Sequence, residues 1–527
     1  MATLIRFGLI ALVALVPAVL QLLLYKDTLL DDPFITFRYA QHLVQGHGLV
    51  WNPGEKPVEG FTSFGWTMLA ALGIQLGFHP LAFAKAVGAL ALVGLVLAPL
   101  TRLNAVNRTW TGKAVAAVLM GACPLLAFYG MSGMEHILFA LVVFVGLLVY
   151  MRSLESDRRD RDAYVAMAIL GLAGMIRPEG LGVFGIVWLY EAFRATASGA
   201  LALAAPRLGL LAAAFAAVWL PFFLWRFGYF GYPFPNTYYA KHSGGGLMQW
   251  ALGVQYLLSG AHLYLVAPLA FALGALGANG RSERDRDRVP AFGAVPFMAW
   301  FLVAYLGYIV LVGGDDTSAF PSVRFFVPVL PIAYLLAARG VERVRRPLAA
   351  AVVLLVLAGA GFFSDAQRFI AINGPVLAFD KGLAAGLHGL TLARQSGYQA
   401  PALSSWIRAR VGPDGTIAVP WAGAVAYYSQ VRVVDMLGLN DEHIAHLPKR
   451  QRGIDVKMDP DYVLARKPDL IFINVDRDVA LGKKTAEAGG AWRLGDRELI
   501  EKLRNNPQYR LVSDAPTHVI VYERVKR

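Results

Sequence analysis

Cysteine is almost absent. The one residue of its kind, Cys123, lies in an apolar run, which leaves no partner for an internal disulfide and no thiol pair for a metal or redox centre. Charge is scarce as well: 16% of the 527 residues are Asp, Glu, Lys or Arg against 57% hydrophobic, and the mean hydropathy is +0.50. Those values exclude an ordinary soluble globular chain and point to a multi-span membrane protein. Internal repeats and low-complexity tracts are missing too, and the charged stretches 152–162 and 279–290 are short linkers. The formal net charge of +13 does not indicate nucleic acid, because Lys and Arg cluster in short loops between apolar runs, where they set topology and meet anionic headgroups. Met1 to Tyr25 lacks a small-residue cleavage site before its charged flank and is expected to stay as a retained span.

What is abundant is apolar length. Runs suited to crossing a bilayer lie near 7–25, 81–101, 113–130, 135–151, 162–177, 180–193, 207–227, 250–277, 292–312, 325–339 and 348–364, about eleven crossings in all. The segment 62–78 is apolar enough for a twelfth. Charge decides against it: if 62–78 does not cross, the Arg-rich loops at 152–162, 281–288 and 339–346 all fall on the side of the N-terminus, the cytoplasmic side by the positive-inside rule. The segment is therefore expected to be re-entrant or interfacial. The same parity brings the polar stretches 31–66, 130–136, 177–180, 230–246 and 313–324, and everything beyond the last span, to the outer face.

Asp31 to Trp66 follows the first span directly and opens on two adjacent carboxylates, Asp31 and Asp32. Acidic pairs outside a span are often solvated flanks. Here Arg38, His47, Asn52, Glu55 and Glu59 alternate with Phe34, Phe37, Tyr39, Trp51 and Trp66, a mixture that suits a folded cap better than a linker. From about residue 364 the composition changes. TIAVP (416–420), VRVVDML (431–437), PDLIFINV (468–475), YRLV (509–512) and HVIVYE (518–523) read as short strands with helical pieces between them, hence a small α/β domain over 365–527 behind a membrane module over 1–364. Its ligand-facing edge is expected at the carboxyl ends of the strands, near Trp421 and LGLNDEH.

The stretch DDPFITFRYAQHLVQGHGLVWNPGEKPVEGFTSFGWTMLAALG at 31–73 resembles the first extracytoplasmic loop, here about 26–80, of the GT-C superfamily of membrane glycosyltransferases. Within that superfamily it is similar to the branch of the mycobacterial terminal arabinofuranosyltransferases. MEHILFAL (134–141), RPEG (177–180), PNTYYAK (235–241), GGDDTSAFPSVRFFVPVLP (313–331) and DMLGLNDEHIA (435–445) carry the same resemblance, in order, through most of the chain. It implies a polytopic α-helical GT-C fold in a bacterial cytoplasmic membrane, with its active site outside. The implied reaction moves a sugar, D-arabinofuranose, with inversion from a polyprenyl-phosphate donor to a hydroxyl on a glycan, glycolipid or protein acceptor.

Such a reaction needs a base for the acceptor hydroxyl, cations for the leaving phosphate and groups that orient the sugar. The resemblance puts the base at Asp31, with Asp32 as partner or alternative. Burial beside Phe34 and the neighbouring carboxylate would raise its pKa. Arg324, Lys241 and Arg38 are the candidates for phosphate. His47, Glu59, Glu135, Arg177, Glu179, Asn236, Tyr239, Asp315, Asp316 and Trp421 are candidates for contact with sugar or acceptor. For Arg177 and Glu179 the competing reading is a structural pair at the helix break made by Pro178, and for Arg324 an interfacial anchor. No resident cofactor or metal is expected; a divalent cation on Asp315, Asp316, Glu135 and His47 is supported by ligand type alone. A flippase or transporter of lipid-linked sugar is the alternative function, disfavoured because its polar groups would sit near the bilayer midplane.

Overall fold

The computed structural model describes residues 2–155, 159–241, 246–277, 292–314, 323–373, 390–448, 457–476, 494–517 and 519–525. The chain forms two compact units. One comprises Met1–Thr28, Ala84–Leu224 and Gly246–Leu387; the other comprises Leu29–Phe83, Trp225–Gly245 and His388–Arg527.

The first unit is helical. Among the described residues six helices are long and apolar enough to cross a membrane: Thr3–Tyr25, Pro80–Leu100, His136–Glu155, Leu201–Phe230, Ala294–Val312 and Pro347–Asp365. Two bent pairs raise the number to eight, Trp110–Ala122 with Pro124–Met131 (53°) and Gln249–Tyr264 with Val266–Leu273 (78°). The first bend has a local cause. Proline keeps the residue before it out of the helical region, and Cys123 is extended at φ −74°, ψ 114°. Every one of the eleven expected apolar runs holds a helix or a helix pair, but three do not meet the length and apolarity of a span. Arg159–Ile176 opens with four charged residues, Glu179–Ala197 carries Glu179, Glu191 and Arg194, and Leu330–Glu342 has 13 residues. At 1.5 Å per residue the last reaches about 20 Å, short of the ~30 Å hydrocarbon core. It is buried almost throughout and acts as core.

Apolar side chains face outward along the spans, among them Leu9, Leu12, Val13, Leu20, Val352 and Val356. In water that would be a liability; against lipid it is the expected surface. Between helices, small residues permit close approach. A Cβ on Gly121 would come 2.1 Å from the Ala14 carbonyl oxygen, and one on Gly88 2.1 Å from that of Gly130.

The second unit is built on a five-stranded sheet of order β2-β1-β3-β5-β4, from β1 (Thr416–Val419), β2 (Arg432–Asp435), β3 (Leu470–Asp476), β4 (Tyr509–Leu511) and β5 (Val519–Arg524). The first three are mutually parallel, with Ala418 opposite Val434 and Ile471, while β5 runs antiparallel to β3 and β4. All five expected strands form. Ala418, Val434, Ile471, Ile473 and Ile520 meet Leu499 and Leu503 of the helix Leu494–Arg504 in the core. The segment 62–78 supplies the helix Phe64–Gln75, whose 12 residues reach about 18 Å, too short to cross.

β2 is an edge strand, and the first loop closes it. Asn52 pairs with Val433 as a neighbouring strand would, its Oδ1 accepting from the backbone N–H at 3.0 Å and its Nδ2 donating to the carbonyl at 3.0 Å. Trp51 Nε1 donates to the same carbonyl at 3.1 Å. The exposed ladder groups that make an edge prone to wrong pairing are thereby used.

Candidate active site

Asp31 and Asp32 form the N-terminal turn of the helix Pro33–Val44, their carbonyls accepting from Phe34 and Ile35 at 3.1 Å each. Pro33 in the first turn fixes the turn without losing a hydrogen bond, since its missing N–H would have no helical partner there. Within the same unit, the Asp31 carboxylate accepts from the backbone N–H groups of Gly423 (2.9 Å) and Ala424 (2.7 Å). This is the carboxyl end of β1, where the chain turns into the short helix Ala424–Ser429. The approach requires glycine at 423, because a Cβ there would come 2.0 Å from the Asp31 carbonyl oxygen.

Phe34, three residues on, centres an aromatic cluster. Phe34 is fully buried, its ring 5.3 to 5.5 Å from those of Phe37, Tyr427 and Tyr428. Burial raises the Asp31 pKa from 3.8 to about 6, with the Asp32 charge adding to it and the two N–H groups opposing. Asp31 is partly exposed and Asp32 exposed. The result is a fixed carboxylate whose ionisation is shifted toward neutrality.

Arg38 is placed differently from expectation. It is 1% exposed, and its guanidinium donates to the carbonyls of Trp51 (2.9 Å), Val431 (2.8 Å) and Ala426 and to Asn52 Oδ1 (3.2 Å), over the Trp51 ring at 4.7 Å. It ties the first loop to the sheet segment and is not presented to a phosphate. Asn236 is likewise enclosed, its Nδ2 donating to the carbonyls of Gly438 (2.8 Å), Leu439 (3.0 Å) and Asp441 (3.2 Å). The LGLND loop is pinned from its other side by Asp435, which accepts from the Leu437 and Asn440 backbones at 3.0 and 2.8 Å. Burial pushes Asp435 up to about 6. Glu59 is buried against Arg226, which also donates to the carbonyls of Tyr232 and Pro233. Burial pushes Glu59 up to about 7 despite that partner. Tyr239 stacks on His446 at 4.5 Å; Lys241 and His47 are exposed, and Trp421 is half-buried.

In the first unit, Arg177 joins Glu135, His136 and Glu179. Its Nε and Nη2 hold Glu179 at 3.1 and 2.6 Å, and its Nη1 meets Glu135 and lies 2.9 Å from His136 Nε2. All four are buried, and the single Arg177 guanidinium is shared between the two carboxylates. The Arg177–Glu179 pair at the Pro178 break is therefore present, and Glu135 is bound into it. The charge of Arg324 acts on both His136 and Glu179, and Tyr305 lies in the same field, its buried hydroxyl without a hydrogen-bond partner among the described residues. Asp315 and Asp316 lie outside the described residues. Among the described residues no group of three or more His, Cys, Asp or Glu is arranged to hold a metal.

Three residues escaped the sequence reading. Arg226 sits in an apolar run, where a lone arginine is itself a signal of a buried partner. Asp435 opens the DMLGLNDEHIA motif without having been singled out, and Gly423 carried no signal, since its importance comes from what the fold brings beside it.

Residues 388–522 match a family model described as a domain of unknown function (DUF8728). A region of 244 residues, 43% of this chain, is 28% identical to the terminal beta-(1->2)-arabinofuranosyltransferase of Mycobacterium tuberculosis and spans 36% of that protein's length. Among solved structures, ArnT from Cupriavidus metallidurans bound to undecaprenyl phosphate superposes with a TM-score of 0.59 at 14% identity, over 98% of this chain and 97% of that one. The oligosaccharyltransferase AglB from Archaeoglobus fulgidus, in complex with an inhibitory peptide and a dolichol-phosphate, gives 0.53 at 15%, over 100% of this chain and 74% of its own. With its apolar spans and small α/β segment, the chain has the fold of the GT-C membrane glycosyltransferases.

Proposed function

We propose that the protein is an inverting glycosyltransferase that moves D-arabinofuranose from a polyprenyl phosphate to an acceptor hydroxyl outside a bacterial cytoplasmic membrane. The observation that carries this reading is the Asp31 carboxylate, fixed by two backbone N–H groups and tuned to about 6. Likeness of part of the chain to an arabinofuranosyltransferase, and of the fold to proteins solved with lipid phosphates, supports the donor class.

As the acceptor oxygen forms its bond to the anomeric carbon, its proton passes to Asp31. The bond from that carbon to the phosphate oxygen breaks on the opposite face and polyprenyl phosphate leaves, so the configuration inverts. Asp32 is the alternative base. Arg324 and Lys241 are assigned to the phosphate by residue type, Arg for its two-pronged donors and Lys as a point charge. Arg38 is left out, its donors being used inside the fold. The Glu135–Arg177–Glu179 cluster is assigned a supporting role, its guanidinium being shared by the two carboxylates before any substrate arrives.

The test is incubation of purified protein with synthetic polyprenyl-phosphate arabinofuranose and a panel of glycan, glycolipid and peptide acceptors, followed by mass spectrometry. A pentose added to one acceptor class is the expected result. No addition to any acceptor, with the donor intact, would sink the proposal.

A further inference from the structure

The arginine-rich loops of the first unit differ in how much of their charge is compensated. Around 152–162 the charges are paired within the fold: Arg152 holds Asp162 at 2.8 Å, Arg207 bridges Asp160 and Glu191, and Arg194 holds Glu191 at 2.9 Å. The segments 1–12, 98–116 and 339–350 are built otherwise. Together they hold eight Lys and Arg and a single acid, Glu342, and that acid is already engaged. It accepts from Arg339 at 2.7 Å and from the Thr109 backbone N–H and hydroxyl at 2.7 Å each, which ties the loop 101–109 to the end of the helix Leu330–Glu342. Within the loop, Asn104 Oδ1 accepts from the Val106 and Asn107 backbones at 3.1 and 3.0 Å, and Asn107 Nδ2 donates to the Leu335 carbonyl at 3.3 Å. The loop is therefore fixed while its cations stay outside. Arg102, Arg108, Arg345 and Arg346 are exposed, and their side chains have no hydrogen-bond or ion-pair partner among the described residues.

The first helix brings a further cation to this face. It packs along Trp110–Ala122, with Gln21 donating to the Ala122 carbonyl at 3.2 Å near their far ends and Gly121 seated against Ala14. Arg6 and Lys113, each eight residues before that contact, therefore stand at one level. Lys113 reaches the Thr101 carbonyl at 3.4 Å and lies over the Trp110 ring at 5.5 Å. What adjoins the cations narrows the partner. Leu4, beside Arg6, is 77% exposed, and Leu348, two residues after Arg346, is 72% exposed, so the charge stands where the apolar helix surface begins. A nucleic acid or an acidic protein would leave that apolar border uncovered. A phospholipid covers both parts, with acyl chains against the leucines and a phosphate for the guanidiniums, which hold it by paired N–H donors. Because the loop is held in place before binding, little ordering opposes it. We infer that this face is a binding site for the phosphate headgroup of an anionic phospholipid, held by Arg102, Arg108, Arg345 and Arg346, whatever reaction the chain performs.

The test titrates the full chain, purified in detergent, with phosphatidylglycerol, phosphatidylcholine or glycerol 1-phosphate and reads the bound adducts by native mass spectrometry. Wild type should bind phosphatidylglycerol at least about tenfold more tightly than phosphatidylcholine, and added salt should narrow the gap. Two double variants, Arg102→Gln with Arg108→Gln and Arg345→Gln with Arg346→Gln, each remove two charges at exposed positions where folding is not at risk. Each should raise the phosphatidylglycerol Kd about tenfold and leave that of phosphatidylcholine unchanged. Arg161→Gln, at an exposed position in the 152–162 loop, should bind as wild type. Equal affinity for the two lipids in wild type, or an unchanged phosphatidylglycerol Kd in either double variant, would overturn the site, and so would an equal loss in Arg161→Gln. Glycerol 1-phosphate binding as tightly as phosphatidylglycerol would give the arginines to a soluble anion and overturn the lipid.

Discussion

Replacing Asp31 with Asn separates a chemical role from a structural one, and the structure gives both magnitudes. In the wild type, holding this carboxylate ionised is unfavourable: the rise from 3.8 to about 6 corresponds to about 3 kcal/mol against the charged form at neutral pH. Asn removes that penalty. It also puts one NH2 where a carboxylate oxygen stood, so either Gly423 or Ala424 loses its acceptor, and a hydrogen bond to a charged group is worth about 1.5–3 kcal/mol. The two effects are of similar size and opposite sign, so D31N should unfold within about 1 kcal/mol of wild type. Transfer should fall by about 10²–10⁴, the usual worth of a general base. The assay is single-turnover transfer from polyprenyl-phosphate arabinofuranose beside thermal unfolding of the same detergent-solubilised samples, with D32N in parallel. Wild-type rates in D31N would move the base elsewhere, while a D31N protein that no longer folds would make Asp31 an anchor only.

The pH profile should follow the same group. As Asp31 must be ionised to take a proton, kcat/KM should fall about tenfold per pH unit below about 6 and level off above it; a flat profile down to pH 4.5 would contradict the assignment. Stability runs the other way. Asp435, 1% exposed, keeps its proton up to about 6 in the folded chain against 3.8 unfolded, so its contribution is most favourable below the ordinary carboxylate range and declines as pH rises from about 4 to 6; D435N should flatten that decline in pH-dependent melting. Gly423→Ala should push Asp31 out of place and lower kcat more than tenfold without changing the donor KM, and wild-type turnover in G423A would show that the close approach does not matter. Arg177→Ala leaves Glu135 and Glu179 buried without their cation, which should destabilise the protein by about 3–5 kcal/mol in denaturant titration, whereas a loss under 1 kcal/mol would mean that the cluster is hydrated.

The spans and the strands were legible because both have a periodic or compositional signature. Apolar length marked the helices, and short β-rich runs with helical pieces between them marked the small α/β domain. Apolar runs alone do not give helix lengths, since the run 325–339 yields the helix Leu330–Glu342 of 13 residues, buried almost throughout. The acidic pair behind the first span was legible by position, as was the Arg177–Glu179 pair flanking a proline. The partners of Asp31 were not: Gly423 and Ala424 lie 392 and 393 residues away and act through backbone N–H groups, which every residue but proline has. Arg38 misled for the complementary reason. A sequence gives its charge but not that the carbonyls of Trp51, Ala426 and Val431 would converge on it.

The stereochemistry of the new linkage tests the central claim most directly. With a donor of known anomeric configuration, NMR of the purified product should show the opposite configuration, as direct displacement assisted by a single carboxylate base requires. A product that keeps the donor's configuration would demand a covalent sugar intermediate and a nucleophile, and would contradict the role given to Asp31.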